Sequence, residues 1–202
     1  MDYKELLNEY KKKSSVINSR LNDFKNVKEE DWFYEMCFCI LTPQSTARGA
    51  DRAIQTLKKL NFKNKNFDTA SYLSGEIRFH NNKSKYLVEA KNKHNEIKSR
   101  LKNSKNSFEL RDWLVKNVKG LGYKESSHFL RNIGHRDLAI LDRHILKNLV
   151  KLKIINEVPK SLTPKVYFEI EDKFKNFSKE VGISMDELDL LFWSMEAGEV
   201  FK

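Results

Sequence analysis

Apolar residues recur three or four positions apart along most of this sequence, which is the spacing of helices that bury one face. One example is the set Ala47, Ala50, Ile54 and Leu57. Strict alternation of apolar and polar residues, the pattern of half-buried strands, is almost absent. With only 7 Gly and 3 Pro, the chain also has little material for the many turns of a β-sandwich. These features predict an all-α fold.

Capping residues predict several helix ends in the last third of the chain. Thr163 followed by Pro164 predicts the start of one helix, and Gly182 predicts its end. Ser184 and Glu187 have the spacing of a capping box, which predicts that the next helix begins there.

The helix ends in the first half are marked less clearly. Asp31 is expected to cap a helix from Trp32 to Leu41, and we expect one long helix over 83–102. The pair Ser14-Ser15 predicts a break between two short N-terminal helices.

Charge and length limit the possible classes of protein. The net charge of +10 attracts polyanions, of which nucleic acid is the commonest, although lysine-rich composition also arises from genome bias. No segment reaches the roughly 20 apolar residues that span a bilayer, and the charged N-terminus lacks the apolar core of a signal peptide. Cys37 and Cys39 are too close for an ordinary disulfide and too few for a closed zinc or iron–sulfur site, so we expect buried thiols in a reducing interior.

One segment has a tight turn between two amphipathic stretches: Gly120-Leu121-Gly122. Either glycine could adopt a positive φ, and Leu121 could fill the crevice between the two helices. The turn amides and the start of the second helix would carry partial positive charge, which suits a DNA phosphate. This is the helix-hairpin-helix pattern, which binds the DNA backbone without reading its sequence. The alternative is an ordinary αα-hairpin.

The residues after this turn indicate chemistry. Lys124 lies in the first turn of the second helix, and Asp142 follows 18 residues later, between an apolar run and another helix. A deprotonated amine can attack C1′ of a damaged nucleotide and form a Schiff base, and nearby positive charge favours the deprotonated form. A carboxylate can stabilise the cation that develops on the sugar. Such a pair needs no metal or other cofactor, although Lys124 could be a surface lysine and Asp142 only an N-cap.

With these residues the sequence resembles the helix-hairpin-helix superfamily of DNA glycosylases, through VKGLGYK, the Lys-to-Asp spacing and LAILDRHI. A second match is ILTPQST, where the superfamily places a glutamine, here Gln44, in the gap left by a flipped nucleotide. A third is RFHNNK, which is similar to the segment that supplies a wedge beside that gap, with Phe79 or His80 as the wedge or stacking residue. The resemblance also implies that Lys119, Gly120 and Gly122 contact the DNA backbone.

Differences from the rest of the superfamily indicate which group within it this sequence resembles. The four C-terminal cysteines of the iron–sulfur members are missing, and there is no room for the extra β-rich domain of the eukaryotic-type enzymes. The compact chain is similar to the archaeal-type 8-oxoguanine DNA glycosylase/AP lyases. In that group a C-terminal lysine carboxylate recognises the oxidised base and a tryptophan stacks on it, which implies these roles for Lys202 and Trp193.

The chemistry of the lesion is consistent with such a carboxylate, because 8-oxoguanine has an N7–H donor where guanine has an acceptor. Asp189, one helical turn before Trp193, is expected to accept from other donors on the base. The alternatives are that Trp193 is a core residue, that Asp189 is a solvated acid and that Lys202 is a frayed end.

The resemblance implies two helical lobes with an active-site cleft between them: residues 29–135, ending in the helix-hairpin-helix, and residues 1–28 with 136–202. It implies a bifunctional DNA N-glycosylase and AP lyase of base excision repair, acting as a monomer on double-stranded DNA that contains an oxidised guanine. A cytoplasmic location at a prokaryotic nucleoid is expected. The alternatives are a glycosylase of this superfamily for another damaged or mismatched base, and a non-enzymatic helix-hairpin-helix DNA-binding module.

Overall fold

The computed structural model describes residues 2–202, and this part of the chain is helical with no strand, so the predicted all-α fold is confirmed. The helices of the described residues are, in chain order, α1 Tyr3–Lys25, α2 Trp32–Leu41, α3 Ala47–Lys59, α4 Ala70–Leu73, α5 His80–Asn92, α6 His94–Asn103, α7 Ser107–Asn117, α8 Tyr123–Asn132, α9 Arg143–Lys151, α10 Pro164–Val181 and α11 Met185–Ala197. None of these helices is both long enough and apolar enough to cross a membrane.

The described residues group into two units. One contains the chain up to Asn26 together with Leu130–Lys202, and the other contains Val27–Phe129. The second of the two boundaries falls within α8.

In the unit Val27–Phe129 the core forms around α2. This helix is apolar at all positions but Glu35, which requires that most of it be enclosed, and it packs against α3 and α5. Cys37 and Cys39 are both fully buried there, as expected. Burial, with a smaller contribution from Cys39, raises the pKa of the Cys37 thiol, so this thiol is a packing group with little thiolate character.

In the other unit the central element is α11, which packs against α1, α9 and α10. The rings of Phe174 on α10 and Phe192 on α11 are stacked with their centroids 6.3 Å apart. The predicted ends of α10 and α11 are confirmed. Gly182 ends α10 with a φ of 68°, and Ser184 and Glu187 form the capping box of α11.

Two of the helix boundaries predicted from the sequence are wrong. Ser14-Ser15 does not interrupt α1, because Ile17 continues the buried stripe of that helix and packing outweighs the weak helix propensity of serine. The predicted helix over 83–102 is two helices. Its break at Lys93 directs that residue's amine to the carbonyl of Asn117, 2.9 Å away, at the end of α7.

The helix α2 runs from Trp32 to Leu41, as predicted, but the expected cap at its start differs. Asp31 occupies the position before the helix, but its side chain makes no capping hydrogen bond. The carboxylate is instead 2.7 Å from the amine of Lys58 on α3. Asp31 therefore ties two helices together rather than capping one.

Candidate active site

The turn of the helix-hairpin-helix joins α7 to α8 and requires glycine at its first position only. Gly120 has a φ of +87°, and a Cβ there would lie 2.9 Å from Cδ2 of Tyr86 and 3.2 Å from Cγ2 of Ile40. Leu121 is buried, as predicted. Gly122 does not have a positive φ, so the expectation that either glycine could use this conformation holds for Gly120 alone.

The first turn of α8 holds Lys124 beside a carboxylate. The Nζ atom of Lys124 is 3.7 Å from Oε1 of Glu125, and the lysine side chain is 22% exposed. The other carboxylate oxygen of Glu125 accepts from the backbone N–H of Gly122 at 3.2 Å. The sequence analysis missed Glu125, although a carboxylate three residues after the cap position is half of a capping box.

The outer surface of this turn is open to solvent. Lys119, Gly120 and Gly122 are all exposed. The amine of Lys119 lies 3.1 Å from the carboxylate of Glu89 and remains 68% exposed. A surface with an exposed cation and a glycine turn at a helix start is suited to a phosphate oxygen.

Gln44 and Phe79 share an unusual backbone conformation. Their φ angles are 56° and 59°, in the left-handed region that side chains other than glycine rarely adopt. Both side chains are exposed, Phe79 by 51%, and the guanidinium of Arg78 lies 5.0 Å from the centre of the Phe79 ring. His80, by contrast, is half-buried as the first residue of α5. Strain of this kind persists where the surrounding structure enforces it, and it clusters at functional sites.

A buried lysine lies beneath these two segments. The amine of Lys83 donates to the carbonyl oxygens of Leu41 at 2.7 Å and Pro43 at 2.6 Å, and to Oγ of Ser45 at 3.1 Å. The same Ser45 oxygen accepts from the backbone N–H of Arg78 at 3.0 Å. The sequence analysis missed Lys83, although its position four residues before the buried Leu87 places it on the buried stripe of α5.

Asp142 caps α9, as its position predicted. Its Oδ1 atom accepts from the backbone N–H groups of His144 and Ile145, both at 2.8 Å. The side chain is half-buried and follows a run of buried residues that ends at Leu141. Both capping bonds end on one oxygen, so the cap leaves Oδ2 for another use. The catalytic role of Asp142 stays a prediction.

The last residues of the chain fold back onto α11. The ring of Phe201 is buried and lies 6.1 Å from the ring of Trp193, which is half-buried. This contact keeps the adjacent Lys202, also half-buried, close to α11. Sequence analysis missed Phe201, which has no helical pattern around it.

Asp189 lies in the protein interior. Its Oδ2 atom is 3.3 Å from Nη2 of Arg131, whose side chain is 2% exposed and whose guanidinium lies 4.6 Å from the ring centre of Phe24. The alternative of a solvated acid is therefore wrong for Asp189. Its contact with the damaged base stays a prediction.

The predicted site residues are thus divided between the two units. The unit Val27–Phe129 holds the predicted gap, backbone and amine residues, namely Gln44, Phe79, Lys119, Gly120, Gly122 and Lys124. The other unit holds the predicted acid and base-recognition residues, namely Asp142, Asp189, Trp193 and Lys202.

An all-α chain in which a glycine turn leads into a helix with a half-buried lysine in its first turn has the features of a helix-hairpin-helix DNA glycosylase. A family model described as 8-oxoguanine DNA glycosylase matches residues 17–183. The 8-oxoguanine DNA glycosylase/AP lyase of Fusobacterium nucleatum is 49% identical, over 99% of this chain and 97% of that protein.

Solved structures agree with the sequence comparison. The crystal structure of the Methanocaldococcus jannaschii 8-oxoguanine DNA glycosylase has a TM-score of 0.89 and 37% identity, over 99% of this chain and 95% of that one. A structure of the M. jannaschii glycosylase/lyase with a 15mer DNA containing 8-oxoguanine has a TM-score of 0.85 and 35% identity, over 98% of this chain and 100% of that one. The chain belongs to the 8-oxoguanine DNA glycosylase family of helix-hairpin-helix proteins.

Proposed function

We propose that this chain removes 8-oxoguanine from double-stranded DNA and then cleaves the strand at the abasic site, with Lys124 as the nucleophile. The observation that carries the proposal is the position of Lys124 at the start of α8, directly after the glycine turn, in a chain that belongs to this family over most of its length. The relatives at up to 49% identity are named as glycosylase and AP lyase, which supports both activities.

The proposed reaction has two stages. The amine of Lys124 attacks C1′ of the damaged nucleotide, the bond between C1′ and the base breaks, and the base leaves with a proton. The aminal opens to a Schiff base between Nζ and C1′. Removal of a C2′ proton then expels the 3′ phosphate by β-elimination, and hydrolysis of the imine frees the lysine.

Two carboxylates assist in this proposal. Glu125, whose Oε1 lies 3.7 Å from Nζ of Lys124, would position the lysine side chain at the start of α8. Asp142 uses Oδ1 for the helix cap, and its Oδ2 would stabilise the positive charge that develops on the sugar as the base departs. The cap fixes the carboxylate rigidly, which is what electrostatic stabilisation of a transition state requires.

Gln44 and Phe79 are assigned to the gap in the duplex. Extruding a nucleotide costs a few kcal/mol, and side chains that fill the vacated space offset this cost. Phe79 is the better candidate for the wedge because its ring is 51% exposed, whereas His80 is half-buried in the first turn of α5. Lys119, Gly120 and Gly122 would bind a backbone phosphate.

Recognition of the base is assigned to the C-terminal part. Trp193 would stack on the extruded base, and Lys202, held near α11 by Phe201, would contact it. Asp189 would contribute chiefly by holding Arg131, since its carboxylate is already paired there. The protein would act as a monomer on genomic DNA, in the cytoplasm at the nucleoid of a prokaryote.

The test is reduction with borohydride during incubation with an 8-oxoguanine duplex, which traps the Schiff base as a covalent adduct. Wild type should give an adduct and Lys124→Gln none, while Lys124→Gln still binds the duplex. Lys116→Gln, which removes an exposed lysine of α7, is the matched control and should be trapped like wild type. An adduct that survives in Lys124→Gln would remove Lys124 from the reaction.

A panel of duplexes tests the choice of lesion. Excision should be fastest for 8-oxoguanine and slow for oxidised pyrimidines, mismatched thymine and alkylated bases. Faster excision of another lesion would mean that 8-oxoguanine is not the preferred substrate of this chain. Salt-sensitive binding without strand cleavage or adduct would leave a DNA-binding module alone.

A further inference from the structure

Lys83 lies in the first turn of α5 and is buried, with 6% of its surface exposed. A buried ammonium is costly unless hydrogen bonds satisfy it. Here its three protons have three acceptors, the oxygens of Leu41, Pro43 and Ser45. All three acceptors lie at the end of α2 and in the loop that carries Gln44.

The acceptors are arranged around the strained residue. Pro43 and Ser45 flank Gln44 directly, so the bonds from Lys83 hold the backbone carbonyl before the residue with φ of 56° and the side chain after it. Such a conformation is strained and persists only when the surroundings enforce it. The hydrogen bonds from Lys83 to both neighbours of Gln44 lie where they can enforce it.

The same cluster reaches the second strained residue. The Ser45 oxygen that accepts from Lys83 also accepts from the backbone N–H of Arg78, which directly precedes Phe79. Phe79 in turn occupies the position directly before α5, the helix that carries Lys83. A closed circuit of hydrogen bonds and backbone therefore links the segments of Gln44 and Phe79.

We propose that Lys83 is a positioning residue that holds Gln44 and Phe79 in one preformed unit, so that both side chains enter the duplex together at an extruded nucleotide. The inference rests on the proposed function and deepens it. Lys83 would not touch the reacting atoms. It would act only where a duplex must be opened, because a single strand has no gap to fill.

The experiment compares two substrates. Lys83→Met, which keeps the length of the side chain but loses its donors, should excise 8-oxoguanine from duplex at least about tenfold more slowly. Borohydride trapping on a single-stranded abasic oligonucleotide, which needs Lys124 but no gap, should stay within about twofold of wild type. Lys85→Met removes an exposed lysine of the same helix and should leave duplex excision within about twofold.

A second variant covers the case in which Lys83→Met does not fold, as judged by thermal unfolding. Ser45→Ala removes the shared acceptor without removing a charge, and should slow duplex excision by at least about threefold with trapping unchanged. The double variant should slow duplex excision by less than the product of the two single-variant factors, because both substitutions disrupt the same hydrogen-bond network.

Three results would overturn the proposal. One is duplex excision by Lys83→Met equal to that of Lys85→Met. Another is loss of single-stranded trapping in folded Lys83→Met, which would place Lys83 in the amine chemistry itself. The third is unchanged duplex excision by Ser45→Ala. Failure of the proposed function looks different, because wild type itself would then neither excise the base nor form an adduct.

Discussion

Asp189 and Arg131 form a buried ion pair with 3.3 Å between Oδ2 and Nη2. Removing one member of such a pair leaves the other charge buried and uncompensated, which typically costs 3–5 kcal/mol. We therefore expect Asp189→Ala and Arg131→Met each to lower the free energy of unfolding by about 3 kcal/mol or more in urea denaturation.

Glu196→Ala provides the control for this pair. It removes a carboxylate of α11 from an exposed ion pair with Lys151, and should change the free energy of unfolding by less than about 0.5 kcal/mol. If Asp189→Ala is as stable as this control, Asp189 does not support the fold and is available for contact with the base.

The two roles of Asp142 can be separated by the choice of substitution. Asparagine is as good an N-cap as aspartate, so Asp142→Asn should keep the stability of wild type while base excision falls by at least about 30-fold, or roughly 2 kcal/mol. Asp142→Ala should lose the cap as well, at about 1 kcal/mol of unfolding free energy.

Single-turnover excision and urea denaturation measure the two effects. If the excision rate of Asp142→Asn is within about threefold of the wild-type rate, Asp142 serves as a helix cap only.

Alanine substitutions at the two glycines of the hairpin turn should lower the free energy of unfolding by different amounts. Gly120→Ala places a Cβ 2.9 Å from Tyr86 at a φ of +87°, and should lower the free energy of unfolding by about 1–3 kcal/mol. Gly122→Ala meets only the flexible carboxylate of Glu125 at 3.1 Å and should cost less than about 1 kcal/mol. Equal losses in the two variants would contradict the assignment of strain to Gly120.

What the sequence could predict is set by distance along the chain. The caps at Thr163 and Ser184 depend on residues within three positions, so local pattern placed them correctly. The three acceptors of Lys83 lie 38 to 42 residues away, and no local pattern encodes them. The turn of the hairpin was recognisable from Gly120, but its need for glycine comes from Tyr86, on another helix.

The same reasoning explains the site. Lys124 and Asp142 were found because each follows a local signal, a glycine turn and an apolar run. Asp189 lies on α11 and its partner Arg131 on α8. Because the two residues are far apart in the sequence, local pattern offered only a contact with the base or exposure to solvent for Asp189. The partner of Asp189 is determined by packing between helices, which the periodicity of the sequence does not encode.

Phe201 is expected to support recognition of the damaged base through the residue that follows it. Its buried ring packs against Trp193 at 6.1 Å and holds Lys202 near α11. Phe201→Ala should lower kcat/KM for the 8-oxoguanine duplex by about tenfold, with little effect on cleavage of a duplex that already contains an abasic site. Met195→Ala, at an exposed position of α11, is the control. Equal losses on both duplexes would mean that Phe201 supports the fold only.

The charge of Lys83 should make stability depend on pH. Burial lowers its pKa from 10.5 to about 8, with Glu125 opposing the shift and Lys124 adding to it. Between these two values the unfolded chain holds more protons than the folded one, so stability rises with pH. The stabilising contribution is complete above pH 10.5 and is lost as the pH falls through about 8.

Comparison with Lys83→Met isolates this effect from the other titrating groups. The free energy of unfolding of wild type minus that of Lys83→Met should increase when urea denaturation is moved from below pH 8 towards pH 10.5. Lys85→Met, which removes an exposed lysine of the same helix, is the control for the substitution itself. A difference for Lys83 that stays constant or falls across this window would mean that its three oxygen acceptors outweigh burial and keep the ammonium form favoured.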